Sequence, residues 1–195
     1  RTVESPSTWR LVVCDIEFVG TPSTSGCVTA APGAADSFYE SHQCLDATCD
    51  TVLFSCLCDL TDDTLSDIGV RTYVFSTTTL TTLADGSNNT WIEHAHQGSV
   101  GRIVWATSFG NADPIALDYA IMNVNGASKQ RLTGFNQPGD RDYISAGVIM
   151  ADFAWVDAGR FVAFMMTNVA NQTGPLLLFR IGDRSLSRFI QHGKR

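Results

Sequence analysis

Short apolar runs alternate with polar residues along most of this chain, and no window keeps the 3.6-residue periodicity of an amphipathic helix. Three stretches repeat one order of such runs, with a spacing of roughly 50 residues that is typical of propellers and solenoids. Each has two short runs joined by a turn, followed by a hairpin-like pair. The units cover residues 37–87, 91–136 and 144–183. This pattern predicts an all-β protein built from three similar antiparallel units.

The clearest local signal is the hairpin of the middle unit. Tyr119–Val124 alternates like a strand, and a second short run ends at Arg131–Thr133. Asn-Gly between two such runs is a strong hairpin signal, because both residues adopt positive φ at low cost. We therefore expect Asn125 and Gly126 at the centre of a two-residue turn, with Gly126 at positive φ. The same reasoning places Gly159 at a turn of the last unit.

This hairpin resembles the outer hairpin of a TolB-like (WD40-like) β-propeller blade. In such blades a strand with Met-Asn is followed by an Asn/Asp-Gly turn and then Arg-Leu-Thr, and Met122-Asn123, Asn125-Gly126 and Arg131-Leu132-Thr133 match that order. The resemblance spans residues 38–183. It implies four-stranded antiparallel blades stacked radially, because one blade cannot bury both of its faces alone.

The number of units predicts an incomplete propeller. Propellers typically close with four to eight blades, whereas only three full units are found. Residues 1–36 are interpreted as the end of a preceding blade with its connector, and residues 184–195 as a tail. We therefore expect a partial propeller, an open arc whose uncovered faces favour self-association or contact with further blades of a longer chain.

Charge and hydropathy exclude two classes of partner. The formal net charge is −7 and the pI is near 4.9, with the basic residues scattered along the chain. Nucleic-acid binding needs a basic face for counterion release, so it is not expected. The apolar runs are too short to span a bilayer, so membrane insertion is not expected either.

Polar residues at the start of two units form the candidate site. They are Glu40, His42, Glu93, His94 and His96. In TolB-like propellers the first strand of each blade lines the central channel, so the resemblance places these side chains in one cluster beside the axis. Histidines with a carboxylate suit a divalent transition metal. Because Phe153 stands where His42 and His96 fall in the other units, the set is incomplete, and we expect channel-lining hydrogen-bonding groups without a cofactor.

Six cysteines lie in the N-terminal third of the chain: Cys14, Cys27, Cys44, Cys49, Cys56 and Cys58. Their spacing matches no paired zinc signature. Disulfides among them are expected in an oxidising compartment, and the alternative is that several are buried thiols. Cys56 and Cys58 face the same side of a predicted strand, so we expect no bond between them.

The motifs of common enzymes are absent from the sequence. It contains no G-x-S-x-G elbow, no phosphate-binding G-x-x-x-x-G-K-[ST] and no H-E-x-x-H. The resemblance therefore implies a non-catalytic propeller that binds a protein or peptide partner in the periplasm or outside the cell. Two alternatives remain, namely an oligogalacturonate-type polysaccharide lyase with a histidine-rich metal site and the propeller portion of a prolyl-oligopeptidase-like hydrolase.

Overall fold

The computed structural model describes residues 11–17, 23–30, 38–57, 68–86, 90–98, 101–157, 159–168, 170–181 and 186–188. Within these ranges the secondary structure consists of β-strands, turns and loops, and there is no helix. A membrane-spanning helix is accordingly not found in this part of the chain. The all-β prediction is confirmed.

Within each sheet, strands that follow each other in the chain pair antiparallel, and the described residues form one two-stranded and three four-stranded sheets. The N-terminal sheet consists of β1 (Leu11–Glu17) and β2 (Ser23–Ala30). Sheet I consists of β3 (Phe38–Cys44), β4 (Thr51–Leu57), β5 (Ile68–Val74) and β6 (Thr79–Asp85). Sheet II consists of β7 (Ile92–Gly98), β8 (Arg102–Thr107), β9 (Asp118–Asn123) and β10 (Gln130–Arg131). Sheet III consists of β11 (Ile149–Asp157), β12 (Arg160–Met166), β13 (Leu176–Arg180) and β14 (Leu186–Arg188).

The three sequence units correspond to three four-stranded sheets, and one boundary differs from the prediction. Strand β14 lies within residues 184–195, the segment interpreted as a tail, so the third sheet extends beyond residue 183. Within residues 1–36, β1 pairs antiparallel with β2 over most of its length, and the interpretation of this segment as the end of a preceding blade stays a prediction.

Apolar side chains fill the spaces between the sheets. Leu53 and Leu83 of sheet I pack with Ile103 and Trp105 of sheet II in one buried cluster. A second cluster joins sheets II and III and is rich in aromatic rings, with Tyr119 at its centre. Fully burying one such large side chain stabilises the fold by about 1.5–3 kcal/mol. Sheet stacking therefore accounts for most of the core.

The first strand of each four-stranded sheet has a β-bulge at the same place, where two residues lie opposite one. The pairs Ser41–His42, His94–Ala95 and Ala151–Asp152 face Phe54, Trp105 and Phe164, respectively. Ser41 (φ 53°) and His94 (φ 54°) adopt the left-handed conformation. A bulge re-aims the side chains beside it and increases the local twist. It is the feature that shapes the site described below.

The bulges also correct the sequence alignment of the units. Gln43, His96 and Phe153 are equivalent, because they pair with Leu53, Val104 and Ala163 at corresponding positions of the second strands. The sequence pattern alone predicted His42 at this position, and that prediction is wrong by one residue. The error arises because the register depends on pairing with the second strand, which alternation within the first strand does not reveal.

The hairpin between β9 and β10 differs in length from the predicted turn. The Gly126 N–H donates to the Asn123 carbonyl at 2.9 Å, and the Asn123 N–H donates to the Ala127 carbonyl at 2.9 Å. The tight turn thus has three residues, Val124 to Gly126, within the longer segment that joins β9 to β10, and neither Val124 nor Asn125 has positive φ. The prediction of positive φ at Gly126 is confirmed at 80°, whereas the two-residue turn is wrong.

Both predicted turn glycines lie in turns. A Cβ atom on Gly126 would lie 3.2 Å from the Leu83 carbonyl oxygen of β6, so this hairpin packs tightly on sheet I. Gly159 lies between β11 and β12, as expected, and its N–H donates to Asp157 at 3.1 Å. Gly126 therefore lies against a neighbouring sheet, whereas Gly159 lies in a turn that the Asp157 side chain of the same turn stabilises.

Disulfides are present, as expected. Cys44 and Cys49 are bonded across the β3–β4 turn with a Cα–Cα distance of 4.8 Å. Cys27 and Cys56 each take part in a disulfide as well, and no cysteine within the described ranges is a free thiol. The Cys14 side chain and Cys58 lie outside the described residues, so the expectation that Cys56 and Cys58 do not bond each other stays a prediction.

Candidate functional site

The first strands of the three four-stranded sheets carry a set of polar side chains that meet across the sheet boundaries. We call this set the first-strand cluster, and its members are Ser41, Glu93, His94, His96 and Asp152. The bulges bring it together. Each bulged pair contributes one member, the first residue of the pair in β3 (Ser41) and β7 (His94) and the second residue in β11 (Asp152).

One part of the cluster joins sheet I to sheet II. The Ser41 hydroxyl lies 3.3 Å from His94 Nδ1. On the other side of the ring, His94 Nε2 lies 3.4 Å from Glu93 Oε1. The Trp91 indole N–H donates to Glu93 Oε2 at 2.9 Å and fixes that carboxylate. A hydroxyl, an imidazole and a carboxylate are thus placed in series.

The other part joins sheet II to sheet III through one carboxylate. Asp152 Oδ1 lies 3.0 Å from His96 Nε2 and 3.9 Å from His94 Nδ1. The Phe153 N–H donates to the same oxygen at 2.8 Å. The Asp152 side chain is 60% exposed, whereas the two histidines are 23% exposed. Solvent and a ligand can therefore reach the carboxylate while the rings hold it in place.

A further cross-sheet contact lies beside the cluster. The Gln43 side chain donates to the Gln97 carbonyl at 2.9 Å and accepts from the Gln97 N–H at 2.7 Å. Gln43 occupies in sheet I the position that His96 occupies in sheet II, so equivalent residues make the contact to the next first strand in both cases. This two-point bond stabilises the approach of β3 to β7.

The base of the cluster is aromatic. The His96 ring meets the Phe153 ring edge-to-face with centroids 5.0 Å apart. Buried Tyr119 lies beneath and donates its hydroxyl to the Ala151 carbonyl. Burial raises the pKa of Tyr119 well above its usual value, and the nearby negative charges of Asp152 and Glu93 raise it further. Tyr119 therefore remains a neutral hydrogen-bond donor at physiological pH.

The structure brings together three of the five residues that the sequence pattern singled out, Glu93, His94 and His96. His94 and His96 do converge, because both reach Asp152, and Glu93 is in contact with His94. His42 does not join them, since it is exposed and Ser41 is the residue that contacts His94. The Glu40 side chain lies outside the described part of the structure.

Asp152 is the member that the sequence analysis missed. A carboxylate immediately before Phe153 was available as a signal. Because Phe153 is equivalent to His96, it seemed to end the polar pattern in the third unit. Asp152 belongs to the bulged pair that precedes Phe153, and a bulge re-aims the side chains beside it. Simple alternation along the strand therefore does not show that Asp152 reaches the cluster.

The geometry limits the chemistry that this cluster supports. Within the described ranges, no group of three or more His, Cys, Asp or Glu side chains is arranged to hold a metal ion. The Ser41–His94–Glu93 series has the residue types of an acyl-transfer site, but its 3.3 and 3.4 Å contacts are longer than the 2.6–3.2 Å of an aligned nucleophile and base. What the cluster offers most directly is a set of hydrogen-bonding groups around an open carboxylate.

Comparison with known proteins adds no family to this geometry. The chain matches no protein-family model, and no curated protein shows significant similarity to it.

Proposed function

We propose that this chain is part of a TolB-like β-propeller whose first-strand cluster binds a peptide segment of a protein partner without catalysing a reaction. The observation that carries the proposal is the convergence of side chains from three consecutive first strands around Asp152. Rigid strands hold these groups, and binding needs little more than fixed hydrogen-bond partners that a ligand can reach.

Two repeated features support the propeller arrangement. The same bulge occurs in all three first strands. Consecutive first strands are also joined by side-chain bonds, Gln43 to Gln97 and His96 to Asp152. Contacts between successive first strands are what a radial stack of blades requires near its axis.

The far face of sheet III supports an open arc. Val162, Phe164 and Leu178 lie on that face and are only partly buried, whereas their neighbours Phe161 and Leu177 are fully buried. An apolar face on a central strand is typical of a sheet that is covered on both sides. A further blade, or a second copy of the chain, would supply that cover.

Charge favours one type of peptide. With neutral histidines, the cluster carries the formal charges of Glu93 and Asp152, and the whole chain is at −7. The exposed Asp152 carboxylate can form a charge-assisted hydrogen bond with a Lys or Arg side chain. We therefore expect a partner segment that contains basic residues. The disulfides fit a periplasmic or extracellular setting.

The test is calorimetric titration with matched peptides in which Lys and Arg are kept, replaced by Gln or replaced by Glu. We expect only the basic peptide to bind. Asp152→Asn should lower its affinity by about tenfold, which corresponds to roughly 1.4 kcal/mol of binding free energy. The control is Asp113→Asn, because Asp113 is exposed in a loop and bonds only locally to Ile115. Equal binding of all three peptides, or an equal effect of the control, would contradict the proposal.

The two enzyme alternatives make separate predictions. A lyase of the oligogalacturonate type would hold stoichiometric manganese, zinc or calcium that is lost in the His94→Ala/His96→Ala double variant. The propeller portion of a prolyl-oligopeptidase-like hydrolase would belong to a longer chain whose hydrolase domain carries the nucleophile elbow, and a fluorophosphonate would label that domain in the longer protein. Either result would replace the binding proposal. We expect neither.

A further inference from the structure

A second concave site lies between the last strands of sheets I and II, away from the first-strand cluster. It is a cavity of about 390 Å³ bounded by β6 on one side and by the end of the β9–β10 hairpin on the other. Pockets of roughly 300–1,000 Å³ are the size that holds small molecules. The peptide-binding proposal makes no use of this cavity.

The floor of the cavity is apolar. Leu83, Ile92, Trp105 and Ala120 line it, and all four are buried members of the core between sheets I and II. Phe109 also lines the cavity, with 63% of its surface exposed to solvent. An exposed aromatic ring at the edge of an apolar cavity favours an apolar ligand, because contact would remove both surfaces from water.

The rim of the cavity carries two cations on the β10 side, Lys129 and Arg131. The Arg131 guanidinium donates to the Phe109 carbonyl and so holds the Phe109 segment beside the cavity. Lys129 is exposed, and no hydrogen bond or ion pair is found for it among the described residues. Two adjacent cations are notable in a chain with only 13 Lys and Arg residues and a net charge of −7.

The opposite rim is polar and carries Thr82 and Asp85 from β6. An anionic group would therefore lie at the β10 side, next to Lys129 and away from the Asp85 carboxylate. Charge-assisted hydrogen bonds from Lys or Arg to a carboxylate are roughly twice as strong as neutral ones. The chemistry of floor and rim together selects a ligand with an apolar body and one negative end.

We propose that this cavity binds a small carboxylate with an aromatic or branched aliphatic body, placing the body over Trp105 and the carboxylate at Lys129. The site is separate from the first-strand cluster and does not depend on peptide binding there. Failure of one proposal would leave the other standing.

The experiment titrates the protein with 2-naphthoate, its neutral analogue 2-naphthalenemethanol and its cationic analogue 2-naphthylmethylammonium, using tryptophan fluorescence and calorimetry. We expect 2-naphthoate to bind about tenfold more tightly than the alcohol, and the cation to bind least. Trp105→Phe should remove most of the fluorescence change, because Trp105 forms part of the floor.

Two surface variants separate the role of Lys129 from general charge effects. Lys129→Glu should lower the affinity for 2-naphthoate by about tenfold and leave the affinity for the alcohol unchanged. Arg141→Glu is the matched control, since Arg141 is exposed on a loop that does not line the cavity, and it should have little effect. The proposal would be overturned if 2-naphthoate did not bind or if the three analogues bound with equal affinity. It would also be overturned if Lys129→Glu and Arg141→Glu had equal effects on binding.

Discussion

Sheets II and III have the same strand order and the same bulge, but they differ in how many faces are covered. In β8 the consecutive residues Ile103 to Thr107 are all buried, because sheet I covers one face and sheet III the other. In β12 buried residues alternate with partly exposed ones from Phe161 to Met166, although every one of them is apolar. The sequence of β12 is thus that of a strand covered on both sides, with only one side covered within the described chain.

The largest effect should come from truncating a ring on the covered face of β12. Phe161→Ala should destabilise the fold by about 3–5 kcal/mol, because Phe161 is fully buried among Tyr119, Phe153 and Phe179. Phe164→Ala, on the open face, should cost less than half as much. Urea unfolding of both variants measures the difference. Equal losses would show that both faces of sheet III are covered in solution.

The open face should also control self-association. Leu178 lies at its centre, paired with Val162 of β12, and is only partly buried. We expect the chain to associate in sedimentation experiments as its concentration rises, and Leu178→Glu to shift it toward monomer with little loss of stability, because a charge prevents apolar contact. Arg141→Glu, a charge change at an exposed loop residue outside sheet III, is the control. A wild-type chain that stays monomeric at high concentration would contradict the open-face account.

A smaller effect distinguishes the turns of the two sheets. Gly126→Ala in sheet II should cost about 1–2 kcal/mol, since φ is 80° and the new Cβ would meet the Leu83 carbonyl at 3.2 Å. Gly159→Ala in sheet III should change stability by less, because its Cβ would lie at an ordinary 3.7 Å from the Ile181 carbonyl. Thermal melting of the two variants checks this order. A larger loss of stability in Gly159→Ala than in Gly126→Ala would mean that the sheet II hairpin does not pack on β6.

The smallest expected difference is in acid sensitivity. Hydrogen bonds from Arg160 and Gly159, with the charge of Arg160, lower the pKa of Asp157 in the first turn of sheet III below 3.8. A lowered pKa in the folded state stabilises the turn above pH 3.8, and that contribution is lost as pH falls through the folded pKa. Sheet II has no acidic residue between Gln97 and Arg102.

Amide exchange measured from neutral pH down to below pH 3 tests this difference. The β11–β12 turn should loosen on acidification more than the β7–β8 turn, and Asp157→Asn should remove most of the pH dependence. Parallel behaviour of the two turns, or no change in the variant, would show that the Asp157–Arg160 pair has no effect on the turn.

Local patterns in the sequence were sufficient to predict most strands of the three sheets but not their register. Alternation along each run and Gly126 in its turn identified the units, because these signals depend on neighbours in the chain. The bulges depend on pairing between strands, so Asp152 was missed and His42 was predicted where Ser41 makes the contact with His94. Strand β14 was missed because Leu186–Arg188 is short and has charged neighbours. The candidate site was thus predicted to within one residue in two of its three strands.

Hydrogen–deuterium exchange with and without a bound basic peptide tests the central claim most directly, which is that the first strands form the binding surface. The account predicts slower exchange in β3, β7 and β11 near Ser41, His94 and Asp152, and no change in β6 and β10. Protection confined to β6 and β10, or to the open face of sheet III, would contradict it.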